Sequence, residues 1–230
     1  MELSYLGGIL KRGAAERRRA AGQPAGAVDE DWGWVADDAE LFAHGAGAGC
    51  RLFTWDSLAL LLRGHARPRA AGGPPDVERV AEEVRCHYLE HGTLDVDGLE
   101  GSFTLALLDG QARRVLLYRN LVGAGFTYYH AGPDGLLFGS NLAQLVDAAC
   151  APLRPNRRAL PAFFLYRFVP GNETLFEGFQ RLLPGEQVAW DERGLARAQR
   201  HTFADLCETP PPDWDAAVER VRKTTEAVLA

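Results

Sequence analysis

Two kinds of hydrophobic periodicity alternate along the chain. Between Asp76 and Gly92 the apolar residues recur at helical spacing, with an acidic residue placed to cap the first turn and a glycine placed to end the last. Between Gly98 and Arg119 they recur at every second position on either side of an Asp-Gly pair, which is typical of a β-hairpin. The sequence therefore predicts a helix followed by a hairpin.

Shorter apolar runs predict the remaining elements. Strands are expected over residues 1–10, 58–63, 127–130, 136–139 and 187–191. Further helices are expected to begin at Ser140, just after Asn156 and at Trp214. Strands gathered in the middle of the chain with helices beside them are typical of an α+β fold.

A proline-rich segment divides the chain into unequal parts. Three consecutive prolines lie within residues 206–213, which we interpret as a stiff, extended linker after a domain of residues 1–205. The amphipathic helix predicted at 214–230 cannot form a core alone. Either it folds back on the first domain or it opens a second domain that is truncated here, and we expect the second arrangement.

Composition and charge exclude several classes of protein. Of the 230 residues, 47% are hydrophobic and 24% are charged, so a globular fold is expected rather than global disorder. The net charge of -6 argues against a nucleic-acid partner. No apolar run approaches the roughly 20 residues needed to cross a bilayer, so no membrane association is expected. The four cysteines form no Cys-x-x-Cys pair, so we expect no metal site. The start of the sequence is not typical of a signal peptide, so we expect a cytoplasmic location.

Two stretches of the sequence resemble the N-terminal domain of the asparagine synthetase family. The first covers residues 99–148 and contains LEGSFTLALLDG, an Arg-Asn pair and a Tyr-Tyr strand. The second covers residues 168–190 and reads FVPGNETLFEGFQRLLPGEQVAW. The resemblance implies a class II glutamine amidotransferase domain with the N-terminal nucleophile (Ntn) hydrolase fold, a four-layer αββα sandwich. In active members this domain releases ammonia from glutamine for a synthetase domain, which activates a carboxylate with ATP and Mg²⁺.

The resemblance also identifies a nucleophile position, and this chain departs from the family there. Ser4 stands where the family has an N-terminal cysteine, whose thiol attacks glutamine and whose α-amine takes the proton. Since methionine removal normally needs a small second residue, we expect Met1 to stay in front of Glu2. A serine inside the chain has no free α-amine, so we expect no catalytic residue and interpret Ser4 as a strand-end hydroxyl.

The expected substrate pocket is only partly retained. Arg63 replaces the family's oxyanion-binding asparagine, and Gly64 follows it as in the family. Asp76 and Glu78 match the family's Ser-Asp-x-Glu pattern, in which the aspartate binds the α-amino group of glutamine. Asp76 is also an ideal helix N-cap, and Arg63 could equally be an ordinary arginine at a strand end; both alternatives stay open. We therefore predict a pocket remnant of Arg63, Gly64, Asp76 and Glu78 without glutaminase activity.

Three functional hypotheses follow. The leading one is a degenerate amidotransferase-like domain of an amide-forming ligase, as in β-lactam synthetases and lasso-peptide cyclases, which also resemble this family. Because no Ser-Gly-Gly-x-Asp-Ser loop occurs in the sequence, we expect no cofactor in this chain, and ATP and Mg²⁺ in a downstream synthetase domain. That domain and a small-molecule or peptide substrate are the expected partners, with a homodimer left open. The alternatives are a conventional asparagine synthetase that uses ammonia, and a stand-alone binding or scaffold module.

Overall fold

Two antiparallel sheets of six strands each form the body of the protein. The computed structural model describes residues 4–10, 32–36, 39–44, 49–70, 74, 76–123, 125–132, 135–149, 153–206 and 213–229. Sheet A contains, in spatial order, β10 (Phe179–Arg181), β8 (Tyr128–Gly132), β9 (Gly135–Gly139), β1 (Ser4–Leu10), β3 (Ala39–His44) and β2 (Trp32–Ala36). Sheet B contains β12 (Gly194–Gln199), β11 (Glu186–Asp191), β7 (Arg114–Arg119), β6 (Leu99–Asp109), β5 (Leu58–Pro68) and β4 (Cys50–Trp55).

Helices flank the sheets. The described α-helices are α1 (Val77–His91), α2 (Leu142–Ala149), α3 (Leu160–Tyr166) and α4 (Trp214–Leu229), and a short 3₁₀ turn covers Phe203–Leu206. None of the helices in the described ranges is long and apolar enough to cross a membrane.

Three apolar clusters set the order of the layers. Because strand side chains alternate between faces, one set from sheet B meets residues of sheet A such as Tyr129 and Phe138 in the space between the sheets. The opposite set from sheet B packs under α1, where Val80 and Val84 are fully buried. The outer face of sheet A packs on α2 through Leu145. The order α1, sheet B, sheet A, α2 confirms the predicted α+β fold with a four-layer αββα sandwich.

The helix and hairpin with the strongest local signals are confirmed. The Asp76 carboxylate accepts a hydrogen bond from the amide of Arg79 at 3.0 Å and caps α1. Gly92 ends α1 at φ 69°, and its amide donates to the Tyr88 carbonyl at 2.7 Å. Strands β6 and β7 pair in register from Thr104 to Asp109, as the hairpin pattern predicts.

The start of α2 differs from its prediction. The cap lies one residue later than predicted, because the Asn141 side chain accepts hydrogen bonds from the amides of Ala143 and Gln144 at 2.9 and 3.3 Å. Asparagine and serine are both good cap residues, so pattern alone could not choose between neighbours.

The start of α3 also differs. Asn156 closes a turn instead, through a hydrogen bond from the Arg158 amide at 3.1 Å. The helix begins at Leu160 because Pro161 is tolerated only in a first turn.

Helix α4 confirms its prediction as a helix, but its apolar face is not buried. Trp214 is 80% exposed, and Val218 and Val221 are 51% and 67% exposed. Over the described part of the helix, those side chains therefore do not fold back on the sandwich. The predicted linker before it lies mostly outside the described residues.

Candidate functional site

Four neighbouring strands of sheet B each contribute one residue to a row. Cys50 lies opposite Arg63, Arg63 lies opposite Thr104, and Thr104 lies opposite Arg119. Directly opposed residues point to the same face of a sheet. Cys50 belongs to the cluster between the two sheets, so this row faces sheet A. We call Cys50, Arg63, Thr104 and Arg119 the inner row.

The backbone beside the inner row requires glycine. Gly64 has φ 100°, and a Cβ there would lie 2.1 Å from the carbonyl oxygen of Ser102. Gly101 has φ 132°, and a Cβ there would lie 2.3 Å from the carbonyl oxygen of His65. Strands β5 and β6 therefore approach each other too closely for side chains at either position. Gly64 thus has a structural role that is independent of any catalytic one.

The side chain of Arg63 lies against the loop that leads into sheet A. A Cβ on Gly125 would lie 2.3 Å from Nη1 and 2.5 Å from Cζ of Arg63, so the guanidinium lies directly against the Gly125 backbone. Gly125 has φ 79°, which also favours glycine.

Cys50 is a buried thiol beside Arg63. Burial raises the pKa of Cys50 to about 11, and the nearby Arg63 guanidinium offsets only part of that effect. At neutral pH the thiol is therefore protonated, and a protonated thiol is a poor nucleophile.

The side chain of Arg119 binds two backbone carbonyl groups. Its guanidinium donates to the carbonyl oxygens of Gly123, at 3.2 and 3.3 Å, and of Leu182, at 3.3 Å. The ring of Phe126 lies near two guanidinium groups, 5.6 Å from Arg119 and 5.4 Å from Arg181. These contacts bring positive charge to the loop that borders Arg63.

Thr104 forms the buried floor of the inner row. It is 1% exposed, and its hydroxyl has no hydrogen-bond partner among the described residues. A buried polar group without a partner is uncommon, because its desolvation is not compensated. The hydroxyl is thus an unused hydrogen-bonding group between two arginine positions.

The predicted nucleophile position, Ser4, lies at the same end of the sandwich as Arg63. In β1, Ser4 pairs with His44, and Leu6 pairs with Gly139. Gly139 also pairs with Tyr128, so β1 begins where β8 begins. The segment just before β8 is the one that contacts Arg63.

The structure places Asp76 and Glu78 away from the inner row. Asp76 caps α1, and Glu78 accepts a hydrogen bond from exposed Arg51 at 2.7 Å. Arg51 follows Cys50 in β4 and so points to the opposite face of sheet B. The contacts of these two acidic residues therefore lie on the face of sheet B that packs against α1. Their role in substrate binding stays a prediction.

The sequence interpretation missed three residues of this site: Thr104, Arg119 and Gly125. Their proximity to Arg63 depends on strand register and on loop course, which no local motif encodes. In the part of the chain that the structure describes, no group of three or more His, Cys, Asp or Glu residues could hold a metal ion.

Comparison with protein families gives a match. A family described as a glutamine amidotransferase domain matches residues 78–202. The comparison with curated proteins gives no match.

Several solved structures are similar to this chain at low sequence identity. They include the allosteric regulatory enzyme of purine biosynthesis (9% identity, TM-score 0.44, covering 86% of this chain and 49% of that one). The glutamine phosphoribosylpyrophosphate amidotransferase from B. subtilis has 9% identity and a TM-score of 0.41, covering 87% and 43%. A glutamine aminotransferase class-II domain protein from Silicibacter pomeroyi has 12% identity and a TM-score of 0.42, covering 87% and 92%. The chain thus spans less than half the length of the first two proteins.

Proposed function

The chain belongs to the glutamine amidotransferase domain family, and we propose that it is the N-terminal domain of an asparagine synthetase-type, ATP-dependent amide-forming ligase without glutaminase activity of its own. Glutamine hydrolysis needs an activated nucleophile, a base that takes its proton, and donors placed at the position of the oxyanion. The inner row supports the proposal because it differs from these requirements at the position of Arg63.

The proposal depends mainly on the presence of a charged arginine at position 63. The resemblance aligns Arg63 with an asparagine whose side-chain amide binds the oxyanion, and loss of one such donor costs about 10²–10³ in rate. An arginine side chain is longer, always charged and forked, so it cannot take the position of the amide. In this structure its guanidinium lies against the backbone of Gly125.

Neither described candidate supplies the missing nucleophile. The nitrogen of Ser4 is bonded to Leu3, so no α-amine is available as a base in this polypeptide. Cys50 is 3% exposed, and its raised pKa keeps the thiol protonated. The site thus combines an unsuitable oxyanion group with an unactivated nucleophile.

The ligase part of the proposal is supported by the two matching stretches. Both lie entirely within the residues that the family match covers, and their order along the chain fits the asparagine synthetase family. Adenylation would then take place in a separate synthetase domain that holds ATP and Mg²⁺. In this arrangement the present domain supports that domain and contributes to binding of the substrate.

Ammonia release from glutamine tests the loss of activity. Purified protein is incubated with L-glutamine, and ammonia is measured with a coupled glutamate dehydrogenase assay. We expect no release above buffer and no covalent adduct with the glutamine analogue 6-diazo-5-oxo-L-norleucine by intact mass. The variant Arg63→Asn should also be inactive, because it restores only the amide. Release that the analogue abolishes would refute the proposed loss of activity.

Pyrophosphate exchange tests the ligase assignment. The chain is assayed with ATP together with the synthetase domain encoded downstream, with aspartate or candidate peptides as the carboxylate. Exchange that depends on one of these substrates is expected. Absence of a synthetase domain from the reading frame and its neighbours would refute the ligase assignment and favour a binding module.

A further inference from the structure

We propose that a cavity at the edge of sheet A binds a small zwitterion, namely a free amino acid or a short peptide with both termini unblocked. The cavity has a volume of about 380 Å³ and is lined by residues within 156–158 and 173–180. It lies beside β10, the outermost strand of sheet A, and no residue of the inner row lines it. The proposal goes beyond the proposed function, which assigns no ligand to this surface.

Hydrogen bonds join the two segments that form the walls of the cavity. The Asn156 amide donates to the Leu175 carbonyl at 2.8 Å, and the Glu177 amide donates to the Arg154 carbonyl at 2.9 Å. The Asn156 side chain also donates to the Thr174 carbonyl at 3.0 Å. The site is therefore formed before a ligand arrives, so binding does not have to order these two segments.

Charged side chains of both signs border the cavity. Arg157 and Arg158 lie on one wall, and Glu173 and Glu177 lie on the other. Among the described residues, neither arginine side chain forms an ion pair or a hydrogen bond, and the same holds for the side chain of Glu177. Glu173 accepts a long hydrogen bond, 3.4 Å, from Asn156. Opposite charges that border one cavity without pairing are available to the two charged ends of a ligand.

The balance of these charges favours a zwitterion over a simple ion. A small anion would meet the two carboxylates as well as the two guanidinium groups, and a metal ion would meet the guanidinium groups as well as the carboxylates. Either ion would gain attraction from one wall and repulsion from the other. A ligand that carries both an ammonium group and a carboxylate can match one charge to each wall.

Groups deeper in the cavity fit the uncharged part of such a ligand. Half-buried Gln180 accepts a hydrogen bond from the Tyr129 hydroxyl at 2.7 Å through Oε1. Its amide nitrogen forms no hydrogen bond within the described part of the chain, so it can donate to a peptide carbonyl. Phe179 is 2% exposed and Phe176 is half-buried, so the two rings offer apolar surface to a ligand side chain.

The volume of the cavity limits the size of the ligand. Since a water molecule occupies about 30 Å³ in the liquid, the cavity has room for about a dozen waters. An amino acid or a dipeptide has a similar number of non-hydrogen atoms. The volume also lies in the lower part of the range of ligand sites, about 300–1,000 Å³.

Calorimetric titration with L-alanyl-L-phenylalanine and two blocked forms of this dipeptide tests the proposal. N-acetylation removes the ammonium charge, and C-terminal amidation removes the carboxylate charge. We expect the free dipeptide to bind and each blocked form to bind at least about threefold more weakly, since each loses a charge-assisted contact at an exposed wall. Added sodium chloride should weaken binding of the free dipeptide.

A separate titration with L-phenylalanine distinguishes the two sources of the zwitterion. Tighter binding than the dipeptide would assign a free amino acid to the cavity, and weaker binding would assign a short peptide. In both cases the ligand carries the two charges that the walls require.

Two double variants assign each end of the ligand to one wall. Glu173→Gln with Glu177→Gln should weaken binding of the free dipeptide at least about threefold but leave the N-acetyl form unchanged, because that form has no ammonium group. Arg157→Gln with Arg158→Gln should weaken the free dipeptide similarly but leave the amide form unchanged. The matched control Arg79→Gln removes a charge from the exposed face of α1 and should leave all binding unchanged. Circular dichroism and thermal melting establish that each variant is folded.

Three results would overturn the zwitterion site. They are absence of dipeptide and L-phenylalanine binding at about 10 mM, equal affinity for the free and the blocked forms, and binding that both double variants leave unchanged. The glutaminase and pyrophosphate exchange assays test the proposed function separately, so the two proposals can fail independently.

Discussion

The alkylation rate of the Cys50 thiol depends on its burial and on the nearby charge, so it measures the environment of the inner row. Burial raises its pKa from 9.0 to about 11, a change of two pH units. At pH 8 the thiolate fraction is therefore about 100-fold lower than for an ordinary cysteine, and alkylation proceeds through the thiolate. Since Cys86 is exposed, we expect iodoacetamide to modify Cys50 at least about 100-fold more slowly than Cys86.

The experiment compares two single-cysteine proteins. In one, Cys86, Cys150 and Cys207 are replaced by serine, and in the other Cys50, Cys150 and Cys207 are replaced. Alkylation is followed by intact mass between pH 7 and pH 10, where the rate at Cys50 should rise about tenfold for each pH unit. Circular dichroism at each pH establishes that the protein remains folded during the reaction.

The effect of Arg63 on Cys50 predicts the direction in which the pKa of the thiol should change in a variant. Its guanidinium stabilises the thiolate and lowers the pKa of Cys50 against the larger effect of burial. Removing that charge in Arg63→Gln should therefore raise the pKa further and shift the rate profile to higher pH, whereas Arg79→Gln should not shift it. Alkylation of Cys50 within tenfold of Cys86 at pH 8, or a profile that moves to lower pH in Arg63→Gln, would refute this account of the inner row.

Two further predictions concern the framework. Tyr88→Phe removes a 2.8 Å hydrogen bond from α1 to the carboxylate of Asp109, and should lower the free energy of unfolding by about 1–2 kcal/mol. A loss below about 0.3 kcal/mol in urea denaturation would contradict the assigned contact. Truncation after Leu206 removes α4, whose Trp214 is 80% exposed, and should change that free energy by less than about 0.5 kcal/mol. A loss above about 2 kcal/mol would show that α4 stabilises the sandwich.

The elements that could be predicted from sequence are those whose signals are local. Helix α1 has a cap at Asp76, a glycine end at Gly92 and a continuous apolar face, so its bounds follow from a short window of sequence. Strand β12 has no such signal, because every residue in it is exposed and neither face shows alternation. It forms because β11 offers a complete row of backbone partners from Glu186 to Asp191. Strand β10 has only three residues and depends in the same way on β8.

The residues of the candidate site also differ in whether the sequence could identify them. Arg63 and Gly64 could be identified from the sequence through the family resemblance, since both occupy short stretches with fixed spacing. Thr104 and Arg119 could not, because they become neighbours of Arg63 only through the pairing of β5, β6 and β7. Glu78 is the opposite case: the resemblance predicts a pocket residue, and the structure places its carboxylate at Arg51 on the far side of sheet B.

Apart from Cys50, the residues of the inner row are separate from the apolar residues that hold the sandwich together. The apolar clusters lie between the layers, and the glycines at 64 and 101 are needed for the close approach of two strands, whatever reaction takes place beside them. Arg63 belongs to neither requirement, since its guanidinium lies against the backbone of Gly125. Membership in the amidotransferase family therefore accounts for the architecture, whereas the chemistry proposed for the chain depends on the residue at position 63.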